Sequence, residues 1–451
     1  MAWCWCRWRR WRRWCRWRRV LLCVCTPCIS LALLLVYIML FLAMHSLSAV
    51  YNQENVHFVA SGTLRNESFA KTFWNLNMHG DAIWNHLQLT IDRQFNPILR
   101  PKNITRGFED GTFYEQGFSE VTDVKRKVSQ LPQQMQEFVS SMQKRDYATV
   151  LQPDGACGAG AEQEKEPPLL LMAIKSTESH FKNRQAIRQT WGRAGWVAGQ
   201  KWNSRDGGYV RRVFLLGKED TEELGVDSSE FLQMESKRYG DILQWDFRDI
   251  FFNLTLKDVL FWSWFSRSCS RTRFVFKGDD DVFVNTPVML TYLKDQLKKP
   301  QAHKTMEDFM VGDVIAAASP KRDNKSKYFI PDSFYKGLYP MYAGGGGVVY
   351  SGLLAKRLHN MSKRVNLFPI DDVYVGMCMF WLNTHPVHHP AFLTFDFPIK
   401  EEVELCSYHT ILLVHKRSPH QVVQLWANMK KTKAQCWDVP LRETDKKKTQ
   451  L

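Results

Sequence analysis

The sequence predicts an α/β fold with a largely parallel central sheet, preceded by a single membrane-spanning helix. Between residues 169 and 276, short unbroken apolar runs alternate with segments of helical periodicity. Such runs are typical of strands buried on both faces, and their alternation with helices favours parallel pairing. A long segment without charged residues, 20–50, supplies the helix in front of this domain. With 451 residues, 45% of them hydrophobic, the chain is long enough to bury a large core.

The N-terminus has the pattern of a signal anchor in a type II membrane protein. Residues 1–19 hold eight arginines and no acidic residue, which accounts for about half of the net charge of +15. A flank this basic stays in the cytosol, and about 20 apolar residues suffice to cross a bilayer. We therefore predict a cytosolic Arg/Trp-rich tail over 1–19 and a transmembrane anchor over 20–45. A cleaved signal peptide is disfavoured, because its apolar region is only about 7–15 residues long.

Everything after the anchor is predicted to lie in a lumen. A polar stem over 46–80 precedes a helical extension and linker over 81–167, a catalytic domain over 168–440 and a polar tail over 441–451. Five cysteines follow the anchor, so at least one of them has no partner within the chain. No basic and aromatic groove recurs after the N-terminus, so no nucleic-acid partner is expected. The sequons for N-glycosylation all follow the anchor and lie at Asn66, Asn103, Asn253, Asn324 and Asn360.

The helices and strands of the luminal part follow in chain order. Helices are predicted at 82–91 and 131–147 in the extension, and at 183–191 and 256–266 in the catalytic domain. Strands are predicted at 169–174, 213–217, 241–246 and 274–276. In open α/β sheets, ligands bind beyond the carboxyl ends of the strands. The last of these strands runs into three aspartates, which places them at that edge.

The three aspartates, Asp279, Asp280 and Asp281, predict a cation site. After a turn at Gly278, the alternate residues Asp279 and Asp281 point the same way, whereas Asp280 points elsewhere. Two converging carboxylates suit a hard divalent cation, which in turn binds diphosphate oxygens. A solvated acidic turn is the alternative, but the surrounding aromatic residues favour a buried site.

Two later stretches predict contacts with a second ligand. Four glycines, 344–347, lie between aromatic residues, and backbone without side chains lets a sugar approach closely. A bulge or bend is the alternative. Asp371 and Asp372 lie beside apolar residues, where a carboxylate can act as general base on a hydroxyl. They also suit the N-terminus of a helix predicted over 373–381, and both roles can hold together.

Candidate cations and a candidate metal ligand lie at other strand ends. Lys175 follows the first strand, and Arg184 and Arg188 are four residues apart on one helix face, within reach of a diphosphate. Solvent-exposed arginines are the alternative. His415 ends an apolar run, 411–415, where it can ligate a metal or be a satisfied core histidine.

Six blocks of the sequence resemble, in order, the motifs of the β-1,3-glycosyltransferases of family 31. They lie between about residues 168 and 436, and they read AIKS at 173–176, RQAIRQTWG at 184–192, VFLLG at 213–217, FKGDDDVFVN at 276–285, YAGGGG at 342–347 and PIDDVY at 369–374. The flanking stretches 93–99 and 312–315 favour the branch that transfers N-acetylglucosamine and extends poly-N-acetyllactosamine.

The resemblance implies a GT-A type fold, a UDP-sugar donor and a Golgi enzyme of type II topology. It also implies Mn²⁺ or Mg²⁺ held by Asp281, Asp279 and His415. Asp372 takes the position of the catalytic base, and Asp371 contacts the acceptor or positions its loop. With the residue arguments above, the predicted donor contacts are Lys175, Arg184, Arg188, Asp279 and Asp280. The predicted acceptor contacts are Asp371, Tyr342, Gly344, Gly345 and Gly346.

The activity implied is inverting, metal-dependent transfer of N-acetylglucosamine from UDP-N-acetylglucosamine to the 3-hydroxyl of a terminal galactose in N-acetyllactosamine. The partners implied are this donor, a galactose-terminated glycan of a glycoprotein or glycolipid, the Golgi membrane, and copies of itself or other glycosyltransferases. A β-1,3-galactosyltransferase shares the same motifs. A non-catalytic sugar-binding membrane protein on this fold is the alternative from another class. A metal phosphohydrolase or nuclease is disfavoured, because no histidine cluster accompanies the acids.

Overall fold

The computed structural model describes residues 34–39, 82–95, 125–155, 157–160, 164–200, 207–219, 228–316, 318–397 and 399–443. The chain divides into two compact units, Met1–Val56 and His57–Leu451. In the first unit a short helical stretch, 34–39, is described, and its side chains are exposed. No helix among the described residues combines the length and the apolar character needed to cross a membrane. The predicted cytosolic tail, the stem, most of the anchor, and the sequons at Asn66 and Asn103 lie outside the described residues.

The second unit alternates helices and strands. Its helices are α1 (Ile83–Phe95), α2 (Gln133–Ser141), α3 (Phe181–Gln189), α4 (Ser229–Tyr239), α5 (Leu254–Ser268), α6 (Thr286–Lys298), α7 (Ala302–Thr305), α8 (Gly352–Met361), α9 (Asp371–Trp381), α10 (Ile399–Glu402) and α11 (Pro419–Thr432). Residues 125–129 are also helical, and short 3₁₀ turns occupy Phe251–Asn253 and Ser407–His409.

The strands form one large and one small sheet. They are β1 (Thr149–Leu151), β2 (Leu170–Lys175), β3 (Gly195–Val197), β4 (Gly208–Lys218), β5 (Ile242–Arg248), β6 (Phe274–Asp279), β7 (Phe283–Val284), β8 (Met310–Ile315), β9 (Tyr342–Ser351), β10 (Val387–His388), β11 (Phe392–Leu393) and β12 (Leu413–Val414). The large sheet has the order β1-β5-β4-β2-β6-β9-β8-β10, with β3 paired to β4. The small sheet has the order β11-β12-β7.

The large sheet is parallel at its centre and mixed at its flanks. The four strands β5, β4, β2 and β6 pair in parallel, whereas β9 is antiparallel to β6 and β1 is antiparallel to β5. The prediction of parallel pairing is therefore confirmed at the centre, whereas the flanks are mixed, with β8 antiparallel to β9 and β10 parallel to β8. The flanking strands escaped prediction because β1 and β3 are only three residues long and β9 begins in the glycine run.

The helical extension packs onto the catalytic part through buried polar contacts. The backbone N–H of Ile83 donates to the Ser333 carbonyl at 2.9 Å. Farther along α1, the Gln88 amide donates to the Arg364 carbonyl at 3.0 Å. Asp92 accepts hydrogen bonds from Gln88 at 3.0 Å and from the Trp381 indole at 2.9 Å. Because α9 ends at Trp381, the extension supports the helix that carries Asp371 and Asp372 at its start.

Two disulfides and one free thiol account for the five cysteines that follow the apolar segment. Cys157 pairs with Cys269, and Cys406 pairs with Cys436. Cys378, in α9, is free and buried. The expectation that an odd number leaves at least one cysteine unpaired is confirmed for these five residues.

Candidate functional site

Three side chains of the types that ligate metals, Asp279, Asp281 and His415, form a cluster at the carboxyl end of β6. One ligand atom from each residue lies within 4.8 Å of the others. Nε2 of His415 is 3.2 Å from Oδ1 of Asp281 and 4.0 Å from Oδ2 of Asp279. The structure therefore brings together the three residues that the sequence analysis predicts as metal ligands, although His415 is far from the aspartates in the chain.

The backbone holds His415 in this cluster. Its N–H donates to the Leu393 carbonyl at 3.0 Å. Gly346, on the neighbouring β9, has a φ of +83°, and a Cβ built there would lie 2.8 Å from Cγ of His415. Any side chain at this position would displace the imidazole, so glycine is needed here for both its conformation and its small size.

The electrostatics of the cluster suit a cation. Burial, together with the carboxylates Asp371, Asp372 and Asp281, raises the pKa of Asp279 to about 7. Burial opposes protonation of His415, but its bond to Asp281 prevails and raises the pKa of the imidazole. Against burial, the same bond lowers the pKa of Asp281. Two carboxylates and one imidazole fit a divalent cation that keeps open positions for a ligand.

Asp280 belongs to a different set of contacts. Its Oδ2 accepts a hydrogen bond from the Ser176 hydroxyl at 2.6 Å and lies 3.0 Å from Nδ1 of His180. The Asn183 amide donates to the Asp280 carbonyl at 3.2 Å. These bonds tie the aspartate turn to the end of β2 and the start of α3. The predicted contact of Asp280 with a donor stays a prediction.

Two lysines and three carboxylates form a second cluster beside the first. Lys175 and Lys277 lie on the adjacent parallel strands β2 and β6. Their Nζ atoms are 2.9 and 3.4 Å from Oδ2 of Asp258, which lies on α5. Lys175 also contacts Asp371, and Lys277 lies 3.6 Å from Asp371 and 3.4 Å from Asp372. Lys175, predicted to contact the donor, is therefore buried in a protein network and fixes a carboxylate instead.

Asp371 and Asp372 are neighbours in sequence with opposite electrostatic environments. Both lie in the first turn of α9, where the helix dipole favours negative charge, and the N-cap position itself is Ile370. Burial would raise the pKa of Asp371, but the two lysine cations hold it well below its usual range. Burial and the adjacent Asp371 raise the pKa of Asp372. A carboxylate with a raised pKa suits a general base better than one locked in ion pairs.

The predicted acceptor residues of β9 lie beside Asp372. The Gly345 N–H donates to Oδ2 of Asp372 at 3.3 Å, and a Cβ on Gly344 would lie 3.6 Å from the same oxygen. Gly345 has a φ of +78°, and a Cβ built there would overlap with Cγ2 of Thr394. Burial and the nearby Asp372 raise the pKa of Tyr342 to about 12. The structure thus brings these residues to the edge of the candidate base, and their contact with an acceptor stays a prediction.

Arg184 and Arg188 do not reach the site, which corrects the prediction that they contact a diphosphate. Arg184 is 1% exposed, and its Nη2 is 2.7 Å from the Glu235 carboxylate. Arg188 bridges Glu235 at 2.6 Å and Asp241 at 2.7 Å. The two arginines do share one helix face, as their spacing predicts. That face is turned toward Glu235 of α4 and Asp241 just before β5, so the guanidinium groups are already neutralised.

Three residues of the site carry no prediction from sequence: Lys277, Asp258 and Thr394. Lys277 alternates with Asp279 along a strand, so the period of two places both on one face, and this alternation could have identified it. Asp258 has no such signal, because its partner Lys175 is 83 residues away and the contact exists only in the folded chain.

A mixed α/β fold that gathers Asp279, Asp281, His415 and, on α9, the carboxylate Asp372 fits the class of enzymes that transfer a group from an activated phosphate ester to a hydroxyl. A family model described as Galactosyltransferase matches residues 182–390. N-acetyllactosaminide beta-1,3-N-acetylglucosaminyltransferase 2 of Homo sapiens is 42% identical over 371 residues, which are 81% of this chain and 88% of that protein. The chain therefore belongs to the galactosyltransferase family, glycosyltransferase family 31, and is a glycosyltransferase. The resemblance of the six sequence blocks is confirmed.

Other relatives agree with this assignment. UDP-GlcNAc:betaGal beta-1,3-N-acetylglucosaminyltransferase 7 of Rattus norvegicus is 43% identical over 264 residues, 57% of this chain and 63% of that protein. Among solved structures, the apo structure of the WbbM bifunctional glycosyltransferase aligns with a TM-score of 0.30 and 11% identity over 60% of this chain and 52% of that chain. A structural likeness at that level supports no argument about the function of this chain.

Proposed function

We propose that the protein is an inverting β-1,3-N-acetylglucosaminyltransferase that extends poly-N-acetyllactosamine. The donor would be UDP-N-acetylglucosamine, and the acceptor would be the 3-hydroxyl of a terminal galactose in N-acetyllactosamine. The observation that carries the proposal is the pairing of two sites at one sheet edge. The same glycine run contacts both: Gly346 lies against His415 of the cluster, and the Gly345 N–H donates to Asp372. The names of the relatives supply the identity of the sugar.

The donor site rests on the fit of the cluster to Mn²⁺ or Mg²⁺. Asp279, Asp281 and His415 would hold the ion, and its bound charge would neutralise the diphosphate of the departing UDP. The sheet edge where these residues lie is the usual place for a nucleotide ligand in an α/β fold, which supports a GT-A type arrangement. Asp280, bonded to Ser176 and His180, would keep the turn rigid while the donor binds.

The transfer step rests on Asp372. Its carboxylate would take the proton of the galactose 3-hydroxyl while the hydroxyl oxygen forms a bond to the anomeric carbon of the donor sugar. The bond from that carbon to the diphosphate oxygen breaks in the same step, and UDP leaves with the electron pair. Configuration at the anomeric carbon inverts, so the chain needs no nucleophilic side chain. Lys277 and the Gly345 N–H would orient the carboxylate toward the acceptor.

The cellular setting is proposed from the N-terminal sequence. A basic flank of eight arginines followed by an apolar segment supports a single-pass type II anchor in the Golgi membrane, with the catalytic part in the lumen. The two disulfides support an oxidising compartment. Association with itself or with other glycosyltransferases belongs to the same proposal.

A second candidate is β-1,3-galactosyl transfer on the same site, which the description of the family model favours. The two activities differ in the donor sugar alone, so one assay separates them. The luminal fragment from about residue 51 would receive N-acetyllactosamine, Mn²⁺ and either UDP-N-acetylglucosamine or UDP-galactose, and released UDP would be measured.

We expect acceptor-dependent release with UDP-N-acetylglucosamine alone and loss of that release in EDTA. Release with UDP-galactose instead would favour the second candidate. Release that persists in EDTA would contradict the metal site. Failure with both donors across a panel of N-glycan, O-glycan and glycolipid acceptors would favour a non-catalytic sugar-binding protein.

A further inference from the structure

Phe395 is a solvent-exposed aromatic residue whose two neighbours in the chain, Thr394 and Asp396, are both held by hydrogen bonds. It lies in the turn between β11 and α10, and its side chain is 68% exposed. The preceding residue, Thr394, is buried, and its hydroxyl donates to the Gly344 carbonyl at 3.1 Å. Cγ2 of Thr394 also fills the space beside Gly345, where a Cβ would overlap with it. The turn is therefore fastened to the glycine run on this side.

The residue after Phe395 is fastened just as firmly. Asp396 has a φ of +78°, a conformation that is strained for a residue with a side chain and that persists only where its surroundings enforce it. The guanidinium of Arg417 enforces it, with its two Nη atoms 3.0 and 2.5 Å from the Asp396 carboxylate. The backbone N–H of Arg417 in turn donates to the Asp281 carbonyl at 2.7 Å. The turn is thus tied to the metal-ligand cluster as well.

These two attachments locate Phe395 relative to the proposed chemistry. On one side, Gly345 donates to the Asp372 carboxylate, the proposed base. On the other side, the carbonyl of Leu393 accepts from the N–H of His415. The turn is therefore linked, through one or two hydrogen bonds, both to the residue that would take the acceptor proton and to the cluster that would hold the donor diphosphate. With 68% of its surface exposed, the Phe395 side chain is available to a ligand at this place instead of being used in packing.

We propose that Phe395 binds the galactose ring of the acceptor by packing against the apolar face that the C–H groups of that sugar present. The inference rests on the proposed function, since it names the residue that selects the acceptor sugar in that reaction. The acceptor is favoured over the donor sugar because Thr394 fastens the turn to Gly345, which bonds directly to the proposed base. Aromatic rings suit this task because their stiff, broad faces lose little conformational freedom on binding.

The test is a set of substitutions at Phe395 in the luminal fragment. Phe395→Ala should raise the KM for N-acetyllactosamine about tenfold, as expected for the loss of one aromatic contact. The KM for UDP-N-acetylglucosamine and the kcat should stay within about twofold of the wild type, and the melting temperature should be unchanged. Phe395→Tyr should retain the wild-type KM. Phe231→Ala is the matched control, since Phe231 is 71% exposed on α4 and belongs to neither cluster.

An unchanged acceptor KM in Phe395→Ala would overturn the inference, and so would a rise confined to the donor KM. Saturation-transfer NMR with N-acetyllactosamine provides a readout that needs no turnover. A signal that the wild type gives and Phe395→Ala loses supports the inference. If neither UDP-sugar is turned over in the assay above, the same NMR result still supports the inference, and only the proposed function fails. Equal signals from both proteins, or none from the wild type, would overturn it.

Discussion

At the scale of single residues, identical side chains acquire different chemistry from their neighbours. Asp371 and Asp372 are adjacent carboxylates, yet Lys175 and Lys277 neutralise the first and leave the second with one contact to Lys277 at 3.4 Å. The three aspartates of the β6 turn divide in the same way. Asp280 is buried against Ser176 and His180, whereas Asp279 and Asp281 share the cluster with His415. Position in the fold therefore assigns the role, and residue type alone does not.

We expect Asp372→Asn to lower kcat by about 10²–10⁴-fold, which is the usual contribution of a general base. The amide keeps the shape of the carboxylate but cannot take the acceptor proton. Calorimetric titration of UDP in the presence of Mn²⁺ should give an unchanged Kd. Asp295→Asn, at an exposed position on α6, serves as the control. Loss of UDP binding in Asp372→Asn would show that the residue belongs to the donor site instead.

We expect Asp281→Ala to remove the dependence of UDP binding on Mn²⁺, because one of the two carboxylates of the cluster is lost. UDP affinity measured with and without Mn²⁺ gives the comparison, and a drop of at least about tenfold in the metal-dependent part is expected. Asp295→Ala is the matched control, because Asp295 is an exposed aspartate on α6 and belongs to neither cluster. A wild-type response to Mn²⁺ in Asp281→Ala would exclude this residue as a ligand.

At the scale of elements, contacts between buried ionisable groups join pairs of helices and fix how the two helices pack against each other. Arg184 and Arg188 of α3 meet Glu235 of α4, and Arg188 continues to Asp241. In the extension, Asp92 of α1 accepts the indole N–H of Trp381 in α9. The first network pairs cations with carboxylates, whereas in the second a carboxyl accepts hydrogen bonds from neutral donors. The two should respond to mutation and pH in different ways.

We expect Glu235→Ala to lower the free energy of unfolding by about 3–5 kcal/mol, because it leaves two buried guanidinium groups without their shared partner. Urea denaturation followed by tryptophan fluorescence measures this change. UDP affinity of the folded variant should remain within about twofold of the wild type, since neither arginine contacts Asp279, Asp281 or His415, and Arg184 keeps its own hydrogen bond to Ser176 at 3.1 Å. A selective loss of UDP binding at unchanged stability would restore the arginines as donor contacts.

We expect the stability of the wild type to fall as pH rises from about 4 to about 7, relative to Asp92→Asn. Burial raises the pKa of Asp92 from 3.8 to about 7, so the folded state favours the protonated carboxyl. The contribution of the Asp92 carboxyl to the free energy of unfolding is fully present below pH 3.8, and it is lost as the pH rises through the folded-state pKa of about 7. Its size is on the order of a few kcal/mol. Urea midpoints across this range should slope for the wild type and for Asp146→Asn, a change at an exposed position, but less for Asp92→Asn. Parallel slopes in all three proteins would contradict the assignment.

At the scale of the whole molecule, two disulfides join segments that are distant in the chain. Cys157–Cys269 links the extension to the end of α5 across 112 residues, and Cys406–Cys436 closes a segment of 30 residues. Longer loops remove more conformational entropy from the unfolded chain, roughly 5 kcal/mol for the first and 4 kcal/mol for the second in that description. The extension is therefore held to the catalytic part covalently as well as by the contacts of α1.

We expect the fragment that begins at about residue 51 to contain one free thiol. It has five cysteines, of which four are paired, and Cys378 is buried. A thiol reagent should label one cysteine per chain in denaturant and none rapidly in the native protein. Reduction before denaturation should raise the count to five. Cys378→Ala should remove the single thiol, and two or more thiols in unreduced, denatured protein would contradict the pairing.

Features that depend on neighbours in the chain could be predicted from the sequence. Apolar runs predicted the four central strands, the alternation after Gly278 predicted the shared direction of Asp279 and Asp281, and ordered motifs identified the family. The pairing of cations with carboxylates could not be predicted and is known only from the tertiary structure. Arg184 and Arg188 face Glu235, and Lys277 and Asp258 enter the site, because such contacts join segments tens of residues apart. The exposure of Phe395 also depends on the fold, since Thr394 and Arg417 fix its turn from both sides. The local periodicity of the sequence determines which way a side chain points, because it depends only on neighbouring residues. The packing of distant segments determines which partner the side chain meets.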